Sequence, residues 1–227
     1  MGKFAITLTA LMLAATPLAF GSASGGPMSG GADTGGMTSA PRMTPQQRAA
    51  NSYNAGLNHK KKAQEYEQKA AATTDAKDRD KLLEKAKGQY EDAVDDYKKA
   101  IKIDPMQYQA MNEMGYAYRK AGNFKDSVDA YNQALKVKPD FAPAIEYRAE
   151  AYLGLSMFKE VQDAYLSLVR TNQDEAAALM KALESWQQSH QDEANPDVKA
   201  FNDWIVERKA VAMTTQTLST NNVHAWN

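Results

Sequence analysis

The side chains with the most chemical potential in this 227-residue chain are His59, His190 and His224, the acids Glu91, Asp92, Asp95 and Asp96, and the run Lys60-Lys61-Lys62. A metal site needs converging ligands, and the three histidines lie far apart without the His/Glu spacing that puts two ligands on one helical face. The four acids lack the glycine-centred loop of an EF-hand calcium site, so they read as a solvated helix face. Three consecutive lysines splay around a helix, with Glu65 and Glu67 close behind, and a solvated face is again favoured over a nucleic-acid patch. A formal net charge of −1 gives no electrostatic case for a nucleic-acid partner. Cysteine is absent, which removes thiol nucleophiles, disulfides and lipid attachment at a cysteine. Neither a Gly-x-Ser-x-Gly elbow nor a phosphate-cradling glycine loop occurs. The sequence therefore predicts no catalytic residue, no metal site and no cofactor, and it reads as a non-enzyme.

The elements that would position any site are better marked. Tyr97, Tyr131 and Tyr165 are evenly spaced along the chain, and Tyr90, Phe124 and Phe158 keep the same interval, as do Asp95, Asp129 and Asp163. Ala100, Ala134 and Leu168 repeat it, and so do Ala93, Ser127 and Val161. A fixed period of this length means stacked copies of one supersecondary unit, each too small to bury its own apolar face. The first half of the unit also recurs, with Met111, Met114, Gly115 and Tyr118 answered one period later by Ile145, Arg148, Ala149 and Tyr152. Pro105 and Pro139 close helices at the same spacing, as a ring without an N–H should.

These residues resemble the tetratricopeptide repeat (TPR), a helix–turn–helix unit of about 34 residues. The best copy is Tyr108 to Phe141, with Gly115, Tyr118, Ser127, Tyr131, Ala134 and Pro139 in the signature positions. The copy Ala142 to Glu175 is weaker, because Gln173 replaces the proline and Arg148 an apolar residue. The resemblance implies an all-α, right-handed α-solenoid of about three hairpins over residues 46–175, with capping helices over 176–213 and a tail over 214–227.

The first hairpin departs from the pattern. Ala93, Tyr97, Ala100 and Asp104-Pro105 give its second helix, and Ser52, Ala55, Gly56 and His59 fit its first. The separation from Gly56 to Tyr97 is more than twice that from Gly115 to Tyr131, a surplus of about seven helical turns. The surplus is rich in helix-forming residues. Two over-long helices are predicted, about 46–73 and 78–103, joined near Thr73-Thr74-Asp75 and zipped by Tyr66, Ala70, Leu82, Leu83 and Ala86. At about 1.5 Å per residue, the arm would project roughly 18 Å beyond its neighbours. His59 falls in the column held by Tyr118 and Tyr152, which favours a hairpin contact over catalysis.

The ends carry different signals. Residues 1–23 look like a signal peptide, with Lys3, the apolar run Phe4 to Ala15, and Gly21-Ser22-Ala23 for cleavage. A membrane-anchoring helix is the alternative, disfavoured by the short span and Pro17. Residues 24–45 are dominated by Gly, Ser, Ala, Thr and Met and read as a flexible linker. Export implies a periplasmic protein of a Gram-negative envelope, with secretion or envelope association as alternatives and no stable membrane insertion after cleavage. Leu179, Leu183 and Trp186, then Val198, Phe201, Ile205 and Ala212, supply apolar stripes that would cap an open stack. The same stripes with Trp204 could instead meet a partner.

In TPR stacks the first helix of each hairpin lines a concave groove that holds a partner segment. Carried over, the resemblance implies exposed groove positions at Tyr53 and Leu57, at Asn112, Tyr116 and Arg119, and at Glu146, Glu150 and Leu153. Ordinary amphipathic surface would look much the same at any one of them. TPR domains that clamp the carboxylate of chaperone C-termini use a Lys/Asn/Asn/Lys/Arg set. Here Tyr53, Leu57, Glu113, Pro143 and Tyr147 occupy those places, and Glu113 would repel a carboxylate. The expected function is a non-catalytic adaptor for a protein or peptide partner. The alternative is a self-assembling structural protein, a homo-oligomer joined through the long hairpin and the C-terminal helices.

Overall fold

The computed structural model describes residues 42–191 and 194–224, with side chains described as far as Thr214. The expected signal peptide and nearly all of the expected linker lie outside the described residues. The compact unit begins at Pro45. Its helices are α1 (Pro45–Ala71), α2 (Ala76–Ile103), α3 (Tyr108–Lys120), α4 (Phe124–Val137), α5 (Ala142–Gly154), α6 (Phe158–Thr171), α7 (Gln173–Ser189) and α8 (Pro196–His224). They pair as α1–α2, α3–α4 and α5–α6, each hairpin packs on the next, and α7 lies against α5 and α6. The result is a helical solenoid of hairpins.

Close approach inside each of the first two hairpins depends on an aromatic ring meeting a residue without a side chain. A Cβ on Gly115 would lie 2.7 Å from the Tyr131 ring, and one on Gly56 would lie 2.5 Å from the Tyr97 ring. Both rings are fully buried. The first hairpin thus keeps the same contact as the second, and its extra residues lengthen both helices beyond it. Ala49, Gly56, Ala63 and Ala70 are the buried residues of α1, and Ala86, Ala93 and Ala100 are buried on α2. Both sets fall at every seventh position, a spacing that drifts only about 20° around a helix per step. Two straight seams of small residues let the long helices run close together for their whole length.

The extension is less free than its length suggests. Lys60 pairs with Glu113, Glu67 pairs with Lys120 at 2.8 Å, and the Tyr90 ring meets Tyr116 at 6.1 Å. Its inner part is therefore fastened to α3. The projecting arm expected from length alone shrinks to the stretch between Glu67 and Tyr90.

Turns and caps follow local chemistry. Gly122, at φ 85°, ends the turn after α3, and Ser156, at φ 56°, plays the same role one repeat later, after α5. Asp75 caps α2 by accepting from Asp78 N at 2.9 Å. Asn172 is the single residue between α6 and α7, and it accepts from Glu175 N at 3.1 Å.

The C-terminal helices extend the stack beyond its three hairpins. Ala176, Leu179 and Trp186 stand one repeat length after Ala142, Ile145 and Tyr152, so α7 continues the first-helix columns of the stack. Leu183 occupies the column of Gly56, Gly115 and Ala149. A leucine there prevents the close ring-on-backbone contact, and α8 packs differently. Its Phe201 stacks on Phe158 at 4.5 Å and on Trp204 at 5.7 Å, while Trp204 meets Tyr165 at 5.6 Å. Trp186 and Trp204 thus pack against the core. The backbone of α8 also stays helical to His224, through most of the segment expected as a tail.

Gly115→Ala is expected to lower stability by about 1–3 kcal/mol, because Tyr131 has nowhere to retreat. Gly88→Ala, whose Cβ would meet nothing within 4 Å, is expected to gain about 0.5–1 kcal/mol from helix propensity. Ser156→Gly relieves a left-handed backbone and is expected to gain up to about 1 kcal/mol. Urea midpoints of the three variants check all three signs.

Candidate functional site

The inner face of the stack is built from one stripe on each first helix. On α1 the positions Tyr53, Leu57, Lys60, Gln64 and Glu67 alternate at three and four residues, the spacing of one helical face. On α3 the stripe is Asn112, Glu113, Tyr116, Arg119 and Lys120, and on α5 it is Glu146, Tyr147 and Glu150.

Polar side chains tie these stripes together from helix to helix. Lys60 bonds Glu113, and the Gln64 amide donates to the Tyr116 hydroxyl at 3.4 Å. The Tyr90 hydroxyl donates to Glu67 at 3.0 Å, on the far side of the Glu67–Lys120 pair. Arg119 donates to Glu150 at 2.6 Å. The rings sit among these charges. Tyr116 and Tyr147 meet edge to face at 5.8 Å. The Arg119 guanidinium lies 5.4 Å from one ring and 5.6 Å from the other, and Lys60 lies 4.9 Å from Tyr116. Burial raises the Tyr53 phenol to about 12, with Glu113 adding to the shift. The tyrosine therefore remains a neutral hydrogen-bonding group at ordinary pH.

The structure divides the eight sequence-predicted groove residues. Tyr53, Leu57, Tyr116, Arg119 and Glu150 are half-buried. Asn112, Glu146 and Leu153 were expected to be exposed and are instead buried, which corrects that expectation. Leu153 faces the core shared with Val161, Leu179 and Leu183, because α7 continues the stack beside it. Glu146 is 3% exposed and Asn112 4% exposed. Oε2 of Glu146 and Oδ1 of Asn112 have no hydrogen-bond partner among the described residues. Lys60, Gln64, Glu67 and Tyr147 belong to the same face. The charged and amide members follow Leu57 at helical spacing, and that continuation was the signal available for them in the sequence.

His59 and the acids read separately in the sequence do meet. Its Nδ1 lies 3.2 Å from Gln89 Oε1 and 3.7 Å from Asp92, and its Nε2 lies 3.6 Å from Asp96. This contact zips α1 to α2. Among the described residues no group of three or more His, Asp or Glu is placed to hold a metal ion. No described helix is long and apolar enough to cross a membrane.

The inner face is lined by polar and aromatic side chains. Its accessible groups are aromatic rings, amides and paired charges, and Glu146, the most perturbed carboxyl, is closed off beneath them. Burial raises Glu146 most, the neighbouring Glu150 adds to it, and Arg119 opposes it, for a value of about 9. Between about 4.5 and 9 the native state thus holds a proton that the unfolded chain releases. The stability this group contributes is complete below the lower value and is lost as pH rises through the upper one. Glu146→Gln is expected to flatten the decline in urea midpoint across that window; an unchanged slope would show that Glu146 is ionised in the native state.

A TPR repeat family matches residues 83–121, and a tetratricopeptide repeat family matches residues 108–141. No curated protein sequence matches the chain. Among solved structures, a crystal structure of MamA protein is similar at 16% identity, covering 77% of this chain and 94% of that one, with a TM-score of 0.43. The second TPR domain of human RPAP3, in complex with an HSP70 peptide, is similar at 15% identity over 71% of this chain and 98% of that domain, with a TM-score of 0.40. The TPR2B domain of yeast Sti1, in a pHsp70 complex, is similar at 13% identity over 71% of this chain and 98% of that one, with a TM-score of 0.38. The paired helices, the glycine–tyrosine contacts and the family matches together identify tetratricopeptide repeats in this chain.

Proposed function

We propose that this protein is a non-catalytic adaptor of the bacterial cell envelope that holds a segment of another protein along the inner faces of α1, α3 and α5. TPR domains are protein–protein interaction modules. The observation that carries the proposal for this chain is the composition of its inner face. Tyr53, Tyr116 and Tyr147 are half-buried there beside Lys60, Arg119 and Glu150. Tyrosine and arginine are the residue types that most often dominate interface energy, because they combine area with hydrogen bonding. Fixing the rings and charges to one another before a partner arrives also lowers the ordering cost of binding. The envelope location rests on Lys3, the apolar run Phe4 to Ala15 and the small residues Gly21-Ser22-Ala23.

Arg119 is too deeply tied to Glu150 to serve as a neutral probe of binding, since removing it would strand a carboxylate. Position-specific photo-crosslinking avoids that difficulty. A crosslinker at Leu57 or Gln64 is expected to capture a partner, whereas one at the exposed Lys125 or Gln133 of α4 is not. Capture from α4 alone would move the binding surface to the outer helices. Osmotic-shock fractionation of a Gram-negative host is expected to release a mature chain beginning at Ser24. A full-length chain retained in the cytosol would overturn the envelope assignment.

A further inference from the structure

The net charge of the chain conceals a division. Residues 60–90 carry nine lysines and arginines against six acids, whereas residues 91–227 carry fifteen against twenty-one. The basic stretch is the long part of the first hairpin, and internal pairing does not absorb its excess. Lys60 takes Glu113, Lys120 takes Glu67 and Lys81 takes Asp78. The other seven lysines and arginines of the stretch form no ion pair among the described residues.

Three of these cations share one face. On α1, Lys62, Tyr66 and Lys69 follow His59 at helical spacing, and on α2 Leu82 and Lys85 precede Gln89 in the same way. His59 meets Gln89, and the Lys69 and Lys85 ammoniums lie 5.6 Å and 5.9 Å from the centre of the Tyr66 ring, so the two stripes form one surface. The three lysines are exposed, while Tyr66 and Leu82 are half-buried. This surface is turned away from the stack. Lys60, Gln64 and Glu67, which fasten α1 to α3, lie on the opposite side of the alanine seam.

We propose that this face docks the long hairpin on an anionic lipid membrane surface. Its cations are lysines, whose compact charge suits a diffuse negative surface; defined pairing with carboxylates favours the planar fork of arginine. Lysine stems can lie along apolar surface while the ammonium stays in water. Tyrosine among them is a residue type enriched at the membrane–water boundary. The acidic remainder of the chain is repelled by the same surface, so the hairpin leads. The proposal stands whether or not the inner face of the stack holds a partner segment.

The test is co-sedimentation of the full chain with vesicles of phosphatidylcholine alone or mixed with phosphatidylglycerol. Binding is expected to the anionic vesicles and to fall steeply with added salt. Reading the difference between the two vesicle types removes what the apolar run Phe4 to Ala15 contributes to both. Lys62→Gln, Lys69→Gln and Lys85→Gln together should weaken that difference about tenfold or more, the scale of several lysines close to an anionic surface. Helix content and urea midpoint should not move, because all three positions are exposed. Lys125→Gln, Lys136→Gln and Lys181→Gln together remove as much charge from other exposed positions and should leave binding unchanged. Equal binding to both vesicle types, an unaltered preference in the hairpin variant, or an equal loss in the control variant would each overturn the proposal. Capture of polyglutamate without binding to the vesicles would also overturn it, and would assign the face to an acidic polypeptide. None of these results bears on the groove, which crosslinking at Leu57 and Gln64 tests separately.

Discussion

A tyrosine ring pressed on a glycine backbone sets the spacing of the first two hairpins, on which the rest of the stack is built. Tyr131 on Gly115 and Tyr97 on Gly56 bring paired helices closer than any side chain at those glycines would allow. Each fully buried ring also meets a further tyrosine, Tyr97 within its own hairpin and Tyr131 on the next one. Tyr97 meets Tyr53 at 5.9 Å, and Tyr131 meets Tyr147 at 6.3 Å. Through those pairs the buried column reaches the inner-face residues Tyr53 and Tyr147. Burying a large side chain is worth about 1.5–3 kcal/mol, so each ring matters on the scale of a domain's total stability.

The same contact explains why the first hairpin could grow. Its extra residues lie beyond Gly56 and before Tyr97, outside the ring-on-backbone contact and inside two helices that already run side by side. The alanine seams prolong the close approach, while His59 between Asp92 and Asp96, and the pairing of Lys60 and Glu67 with α3, tie the longer helices down. At the other end of the stack the contact is absent. Leu183 blocks it, and the stack finishes on the aromatic cluster of Phe158, Trp186, Phe201 and Trp204.

Much of this architecture was legible in the sequence because periodic packing leaves periodic residues. The helices expected over 46–73 and 78–103 are found as Pro45–Ala71 and Ala76–Ile103. The place of α7 in the stack was also written in the sequence, in Trp186 standing one repeat length after Tyr152, but the missing proline at Gln173 obscured it. The inner face was only half legible. Helical spacing puts Asn112 and Glu146 on the correct side of their helices, yet whether they are exposed depends on what the neighbouring helices place over them. Long-range pairs such as Lys60–Glu113 and Arg119–Glu150 have no sequence signature, because each joins residues whose spacing is set by the packing of whole hairpins.

The dependence of the stack on the tyrosine–glycine contact is tested most directly by a double-mutant cycle on Gly115→Ala and Tyr131→Leu, with stability measured by urea unfolding. If the added methyl is costly because it meets the Tyr131 ring, shortening that ring removes the clash. The double variant should then be more stable than the sum of the single losses by about 1 kcal/mol or more, within the range for residues in direct contact. Additive losses would contradict it, and would place the close approach of α3 and α4 in the rest of their interface.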